Sequence, residues 1–179
     1  MQQSEEEYEL IQKCLQGNSA SQKKLFDIFS GKMYSVCMRY ASDPDLAQDF
    51  LQEGFIRLFK NLHQFRFEGS FEGWVRRIFI HTSIEFCRKN AKNLEVNGLD
   101  ELENVGLNES VLDKFNAESL LLLVQKLPTG YRTVFNLYAI EGYTHKEIAI
   151  ELGISENTSK TQLRKARLGL IAMLNKEKE

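Results

Sequence analysis

Proline is almost missing from this chain of 179 residues, which has only Pro44 and Pro128. Helices can therefore run long without interruption, and plentiful Leu, Lys, Glu and Gln favour them. Cysteine is scarce and odd in number. Cys14, Cys37 and Cys87 stand far apart, with no metal-type spacing among them or with His63, His81 and His145. That excludes a disulfide framework and a zinc module, and points to buried thiols in a reducing compartment. No apolar run is long enough to span a bilayer. The opening MQQSEEEYEL is acidic and lacks the basic n-region and apolar core of a secretion signal. The expectation is a cytoplasmic protein without membrane insertion. A large charge excess is also lacking: the net charge of -2 excludes a basic coat like that of a histone. There is no internal repeat, no plausible nucleophile–base pair, no phosphate-binding glycine loop and no metal cluster. An enzyme, a cofactor and a small-molecule substrate are therefore not expected.

What is present is a helical hairpin with a basic outer face, YTHKEIAIELGISENTSKTQLRKARLGLIAML, from Tyr143 to Leu174. Thr144 with Glu147 three residues on spells a capping box. Ile148, Ala149 and Leu152 follow at helical spacing. Gly153 stands where a helix commonly ends in a left-handed residue, Ile154 can plug the corner, and Ser155 can cap a second helix. In that helix Leu163, Ala166 and Leu170 face inward, while Lys160, Arg164, Lys165 and Arg167 mostly point elsewhere. Asn157, Thr158 and Thr161 lie near its start, where a recognition helix meets base edges in the major groove. The blander alternative is an amphipathic hairpin whose basic face is simply solvated.

Periodicity predicts three further helices upstream: Ser19 to about Tyr40, Asp45 to about Leu62, and about Ser70 to Asn90. Their apolar stripes (Leu25, Phe29 and Met33; Phe50, Phe55 and Leu58; Trp74, Ile78 and Phe79) can close one core. From Asn90 to about Phe115 the pattern dissolves into a polar, mostly acidic stretch with Asn-Gly and Val-Gly breaks, which reads as a linker. About 25 residues reach at most roughly 80–90 Å when extended. Helices at about Ala117–Lys126 and Tyr131–Glu141 then precede the hairpin. The expected fold is all-α, with two small helical domains joined by a flexible linker and a helix-turn-helix in the second. The boundaries fall at 1–90, 91–114 and 115–179.

Charge is distributed unevenly. Acid gathers in Glu5–Glu9 and Asp100–Glu109, base in Arg66–Lys92 and Lys160–Arg167. Two basic patches on a near-neutral chain suit local contact with nucleic acid, aided by a partner. Between Phe65 and Ile78 aromatics alternate with Arg66, Arg76 and Arg77, as in surfaces that stack single-stranded bases and neutralise phosphates. Phe and Trp at helical spacing are equally the stuff of cores, and Phe67, Phe71 and Trp74 cannot all do both. Opposite the stripe of the second helix lie Asp45, Asp49, Gln52, Glu53 and Arg57, a face that is either solvated or docks a protein.

Residues 25–89 resemble the second domain of the extracytoplasmic-function sigma factors of bacterial RNA polymerase, and residues 127–170 resemble their fourth. The resemblance rests on the D-x-AQD-x-x-QE-x-F run at Asp45–Phe55, the F-x-GW-x-x-RI run at Phe71–Ile78, and the hairpin, in the family's order. It implies that Asp45, Asp49, Gln52, Glu53 and Phe55 belong to a helix docking on the clamp helices of the polymerase's largest subunit. It further implies that Phe65, Arg66, Phe67, Trp74, Arg76, Arg77 and His81 engage the melted minus-ten element, where one non-template base leaves the stack. Lys160, Thr161, Arg164 and Lys165, with Asn157 and Thr158 beside them, would read the minus-thirty-five element, and Arg167 would lie nearer phosphates. The implied partners are core RNA polymerase, promoter DNA and an anti-sigma factor. Two positions depart from the family's pattern: His81 stands where Asn is frequent, and Ser159 where Val is common. The residues alone leave two rivals: a homodimeric helix-turn-helix regulator and an adaptor that binds only proteins.

Overall fold

The structure, a computed structural model, describes residues 2–91 and 117–176. Regular structure among them is helical throughout, as expected of an all-α chain. The helices are α1 (Gln2–Leu15), α2 (Ser19–Tyr40), α3 (Pro44–Asn61), α4 (Phe71–Ala91), α5 (Ala117–Gln125), α6 (Thr129–Phe135), α7 (His145–Leu152) and α8 (Glu156–Lys176). The chain forms two compact units, Met1–Met38 with Pro44–Ser83, and Arg39–Asp43 with Ile84–Glu179. Beyond Ala91, the expected linker at 91–114 lies outside the described residues.

In the first unit, α2 begins where Asn18 accepts the Ser21 N–H on its side-chain oxygen (2.9 Å), satisfying a donor the helix leaves open. α3 starts at Pro44, a first-turn position where the missing N–H costs nothing. The expected stripe is the core: Leu25, Phe29 and Met33 of α2 and Phe50, Phe55 and Leu58 of α3 are all buried. α4 adds Phe71, Val75 and Phe79. The Phe55 ring meets Phe79 edge-on at 5.0 Å and Phe26 at 4.5 Å. That crossing is close because residue 54 is glycine. A Cβ there would run into the Phe79 ring.

α1 is not among the expected helices, although Tyr8, Ile11, Cys14 and Leu15 recur at helical spacing. Its first turns are polar, with glutamates at positions 5, 6, 7 and 9, and Ile11 and Cys14 commit it to the core, both buried. It ends at Gly17 (φ 79°), where the Asn18 N–H reaches back to the Lys13 carbonyl (3.1 Å), a glycine-terminated helix end.

In the second unit, α5, α6 and α7 pack on α8 through Leu123, Val134, Leu137, Ile148, Leu163, Ala166 and Leu170, all buried. Arg132 is buried with them. Its guanidinium donates to the carbonyls of Gln125 (2.7 Å) and Leu127 (3.2 Å), filling acceptors left open where α5 ends. α6 continues as one π-helical turn, Asn136–Ile140, before the hairpin begins.

Candidate nucleic-acid interface

The hairpin is built by local bonds its sequence spells out. The Glu147 N–H donates to Thr144 Oγ1 (3.3 Å), and the Thr144 N–H donates to the Glu147 carboxylate (2.8 Å), closing the capping box. The Thr144 N–H first, and second its hydroxyl, which also donates to the carboxylate (2.7 Å), hold the Glu147 carboxyl below its usual pKa. Gly153 adopts φ 67°, ψ 36°, the left-handed state that ends α7. Ser155 then accepts the Thr158 N–H (3.0 Å) and starts α8. Asn157, Thr158, Lys160, Thr161 and Arg164 are exposed, Lys165 and Arg167 half-buried, and Leu163 and Ala166 buried beneath them. Polar and cationic groups thus share the outer side of a helix held by its apolar side. Thr158 is less free than its exposure suggests, because its hydroxyl bonds that of Ser155 (2.8 Å).

Ser159, where the family commonly carries valine, is fully buried. Its hydroxyl is hydrogen-bonded to His145 Nδ1 at 2.9 Å, and the His145 ring stacks on Tyr138 at 4.6 Å. A buried hydroxyl is tolerable only when paired, and here the pair ties α8 to the start of α7. Burial chiefly, then Lys160, lowers the His145 pKa; Glu156 opposes this and Arg167 adds to it. The imidazole is therefore biased toward its neutral form.

In the first unit the aromatic and basic stretch divides. Phe65 and Phe71 are buried and in ring contact at 4.9 Å, so Phe65 belongs to the core rather than to an open stacking surface. Trp74 is half-buried against Phe65 (5.4 Å). Phe67 alone of the three phenylalanines stands out, 42% exposed, with φ 58°. Arg66 and Arg77 are exposed, while Arg76 and His81 are half-buried. Trp74, Arg77 and His81 recur at i, i+3 and i+7 and so share one helix face.

On α3, Asp45, Asp49 and Gln52 are exposed and Glu53 is half-buried in an ion pair with Arg57 (2.7 Å). Phe55 is a correction. Expected with the outward polar residues, it is instead buried between Phe26 and Phe79, behind the acidic face. Its neighbour Ile56, 55% exposed, falls at i, i+4, i+7 and i+11 with Asp45, Asp49 and Gln52. An isoleucine off the apolar stripe was the signal for it. Among the described residues no cluster of His, Cys, Asp and Glu could hold a metal ion, and no helix is long and apolar enough to cross a membrane.

Sigma-70 region 2 matches residues 25–93, and Sigma-70, region 4 matches residues 117–170. The chain is 28% identical over 172 residues to the ECF RNA polymerase sigma factor SigW of Bacillus subtilis (strain 168), covering 89% of this chain and 92% of that relative. It is 25% identical over 157 residues to SigM of the same strain, covering 86% and 94%. Among solved structures, the sigma factor RpoE from Bartonella quintana, in complex with the anti-sigma factor NepR, gives a TM-score of 0.51 at 16% identity. That alignment covers 86% of this chain and 96% of the other, a likeness of fold alone. With regions 2 and 4 matched in order over more than half its length, the chain belongs to the extracytoplasmic-function sigma factors: it is an alternative sigma factor, which directs RNA polymerase to specific promoters at transcription initiation.

Proposed function

We propose that promoter choice by this sigma factor divides between two surfaces. Asn157, Lys160, Thr161, Arg164 and Lys165 enter the major groove at the minus-thirty-five element, with Arg167 beside the backbone. Phe67, Trp74, Arg66, Arg76, Arg77 and His81 hold the opened minus-ten strand. Phe65 acts from beneath them, as the ring on which they rest. Asp45, Asp49, Gln52 and Ile56 dock on the polymerase. The two domains comprise residues 1–90 and 115–179, and the chain works in the cytoplasm. Catalysis stays with the polymerase.

The observation that carries this reading is the outer side of α8, where short polar and long basic side chains stand exposed directly above buried Leu163 and Ala166. Unstacking a base costs a few kcal/mol, and stacking it on an aromatic ring returns roughly 1–3 kcal/mol. Neither surface needs to bind tightly, because joining them through the polymerase multiplies their affinities. An anti-sigma factor is the expected inhibitor, in line with the complex in which RpoE was solved.

The test is selection of promoters from a random duplex library by run-off transcription with core polymerase and this chain. The expected result is a family of two-part promoters used only when the chain is present. Tight binding of a palindromic duplex by the chain alone, without polymerase, would instead establish a homodimeric regulator.

A further inference from the structure

Phe67 holds a left-handed backbone, φ 58°, which bulky residues keep only when their surroundings over-determine it. Two rings do so. Phe65 lies 4.9 Å from it on the core side, and Tyr8 of α1 lies 4.9 Å from it, inclined at 50°. Gly69, at φ 97°, lets the loop turn back toward α4. Tyr8 is itself well anchored, since Ile11, one turn along the same helix face, is fully buried. Yet Tyr8 is 52% exposed, so it adds little to the core and touches the loop from outside.

We propose that Tyr8 is a positioning residue for strand capture, bracing Phe67 in the outward conformation that offers its ring to an unpaired base. The proposal rests on the reading of the Phe65–Arg77 surface as the strand-holding one. It assigns a role to a residue outside the stretch that matches Sigma-70 region 2. Tyr8 does not itself hold the strand. Glu5 lies one turn away on the same helix face and is exposed, so its carboxylate repels a phosphate brought toward the ring, whereas Glu9 is paired with Lys13 at 2.8 Å.

The experiment uses holoenzyme assembled from core polymerase and wild-type, Tyr8→Ala, Tyr8→Phe or Phe67→Ala chains. The probe is a promoter recovered by the selection above, with its minus-ten segment premelted. Tyr8→Ala should weaken binding to this probe roughly three- to tenfold, the range of one aromatic pair. Tyr8→Phe should bind within about twofold of wild type, because the ring and not the hydroxyl does the bracing. Binding to a duplex fragment carrying only the minus-thirty-five element should be unchanged, and the thermal midpoint of the free chain should fall by no more than the few degrees that one aromatic pair supports. Wild-type binding by Tyr8→Ala, alongside a loss in Phe67→Ala, would overturn the brace and leave strand capture standing. Wild-type binding by both variants would remove strand capture as well. Tighter binding by Tyr8→Ala would show that the ring obstructs the strand, and a loss that followed a fall in thermal midpoint and extended to the duplex fragment would make Tyr8 merely structural. Either result overturns the proposal.

Discussion

His145 Nδ1 and Ser159 Oγ lie 2.9 Å apart, joining the first residue of α7 to a fully buried position in α8. The bond explains how a hydroxyl occupies a site where the family commonly has valine. Ser159→Ala should lower stability by about 1 kcal/mol, the net worth of one such hydrogen bond. The urea midpoint of the purified chain measures this. A larger loss in minus-thirty-five binding than in stability would show that the bond also sets the tilt of α8.

The same histidine should make stability depend on pH. Its pKa is lowered in the folded chain, chiefly by burial and then by Lys160. The unfolded chain therefore takes up the proton first. This contribution to stability is fully present above about pH 6.5, the ordinary histidine value, and is lost as pH falls through the lower folded value. Denaturation of wild-type and His145→Gln chains at stepped pH should give a smaller acid-side decline in the variant. Parallel curves would assign the dependence to other groups.

Gly54→Ala should destabilise the first unit. The added methyl meets the Phe79 ring, and overpacking of this kind costs about 1–3 kcal/mol. Better helix propensity returns at most about 1 kcal/mol. The net loss should appear as a lower thermal midpoint.

On the recognition helix, Arg164→Ala or Lys160→Ala should cost roughly 1–3 kcal/mol at cognate promoters and relax the choice of base where contact is lost. Arg167→Ala should instead weaken all promoters alike and flatten the salt dependence by about one phosphate contact. Competition between promoters at several salt concentrations separates the two patterns.

Asp49→Lys should weaken binding to core polymerase about tenfold or more, since juxtaposed like charges cost several kcal/mol. Ile56→Ala should weaken it less, while leaving the thermal midpoint unchanged because the side chain is half in solvent. Unaltered polymerase affinity in both variants would remove this face of α3 from the docking surface.

Local chemistry was readable from residue order alone. The ends of α2, the capping box at Thr144 and the left-handed Gly153 all depend on partners within a few positions, and each stands as expected; the inward face of Leu163, Ala166 and Leu170 follows from their helical spacing. Choices made by distant partners were not readable in this way. Whether Phe55 or Ile56 faced out was decided by Phe79, and which phenylalanine left the core was decided by the backbone of Phe67 and the ring of Tyr8. α1 was legible too, with Tyr8, Ile11, Cys14 and Leu15 at helical spacing; which of them the core covers, Ile11 and Cys14 but not Tyr8 and Leu15, only the tertiary structure decided. Spacing along a chain records which neighbours a residue can have; burial depends on which remote surface arrives to cover it.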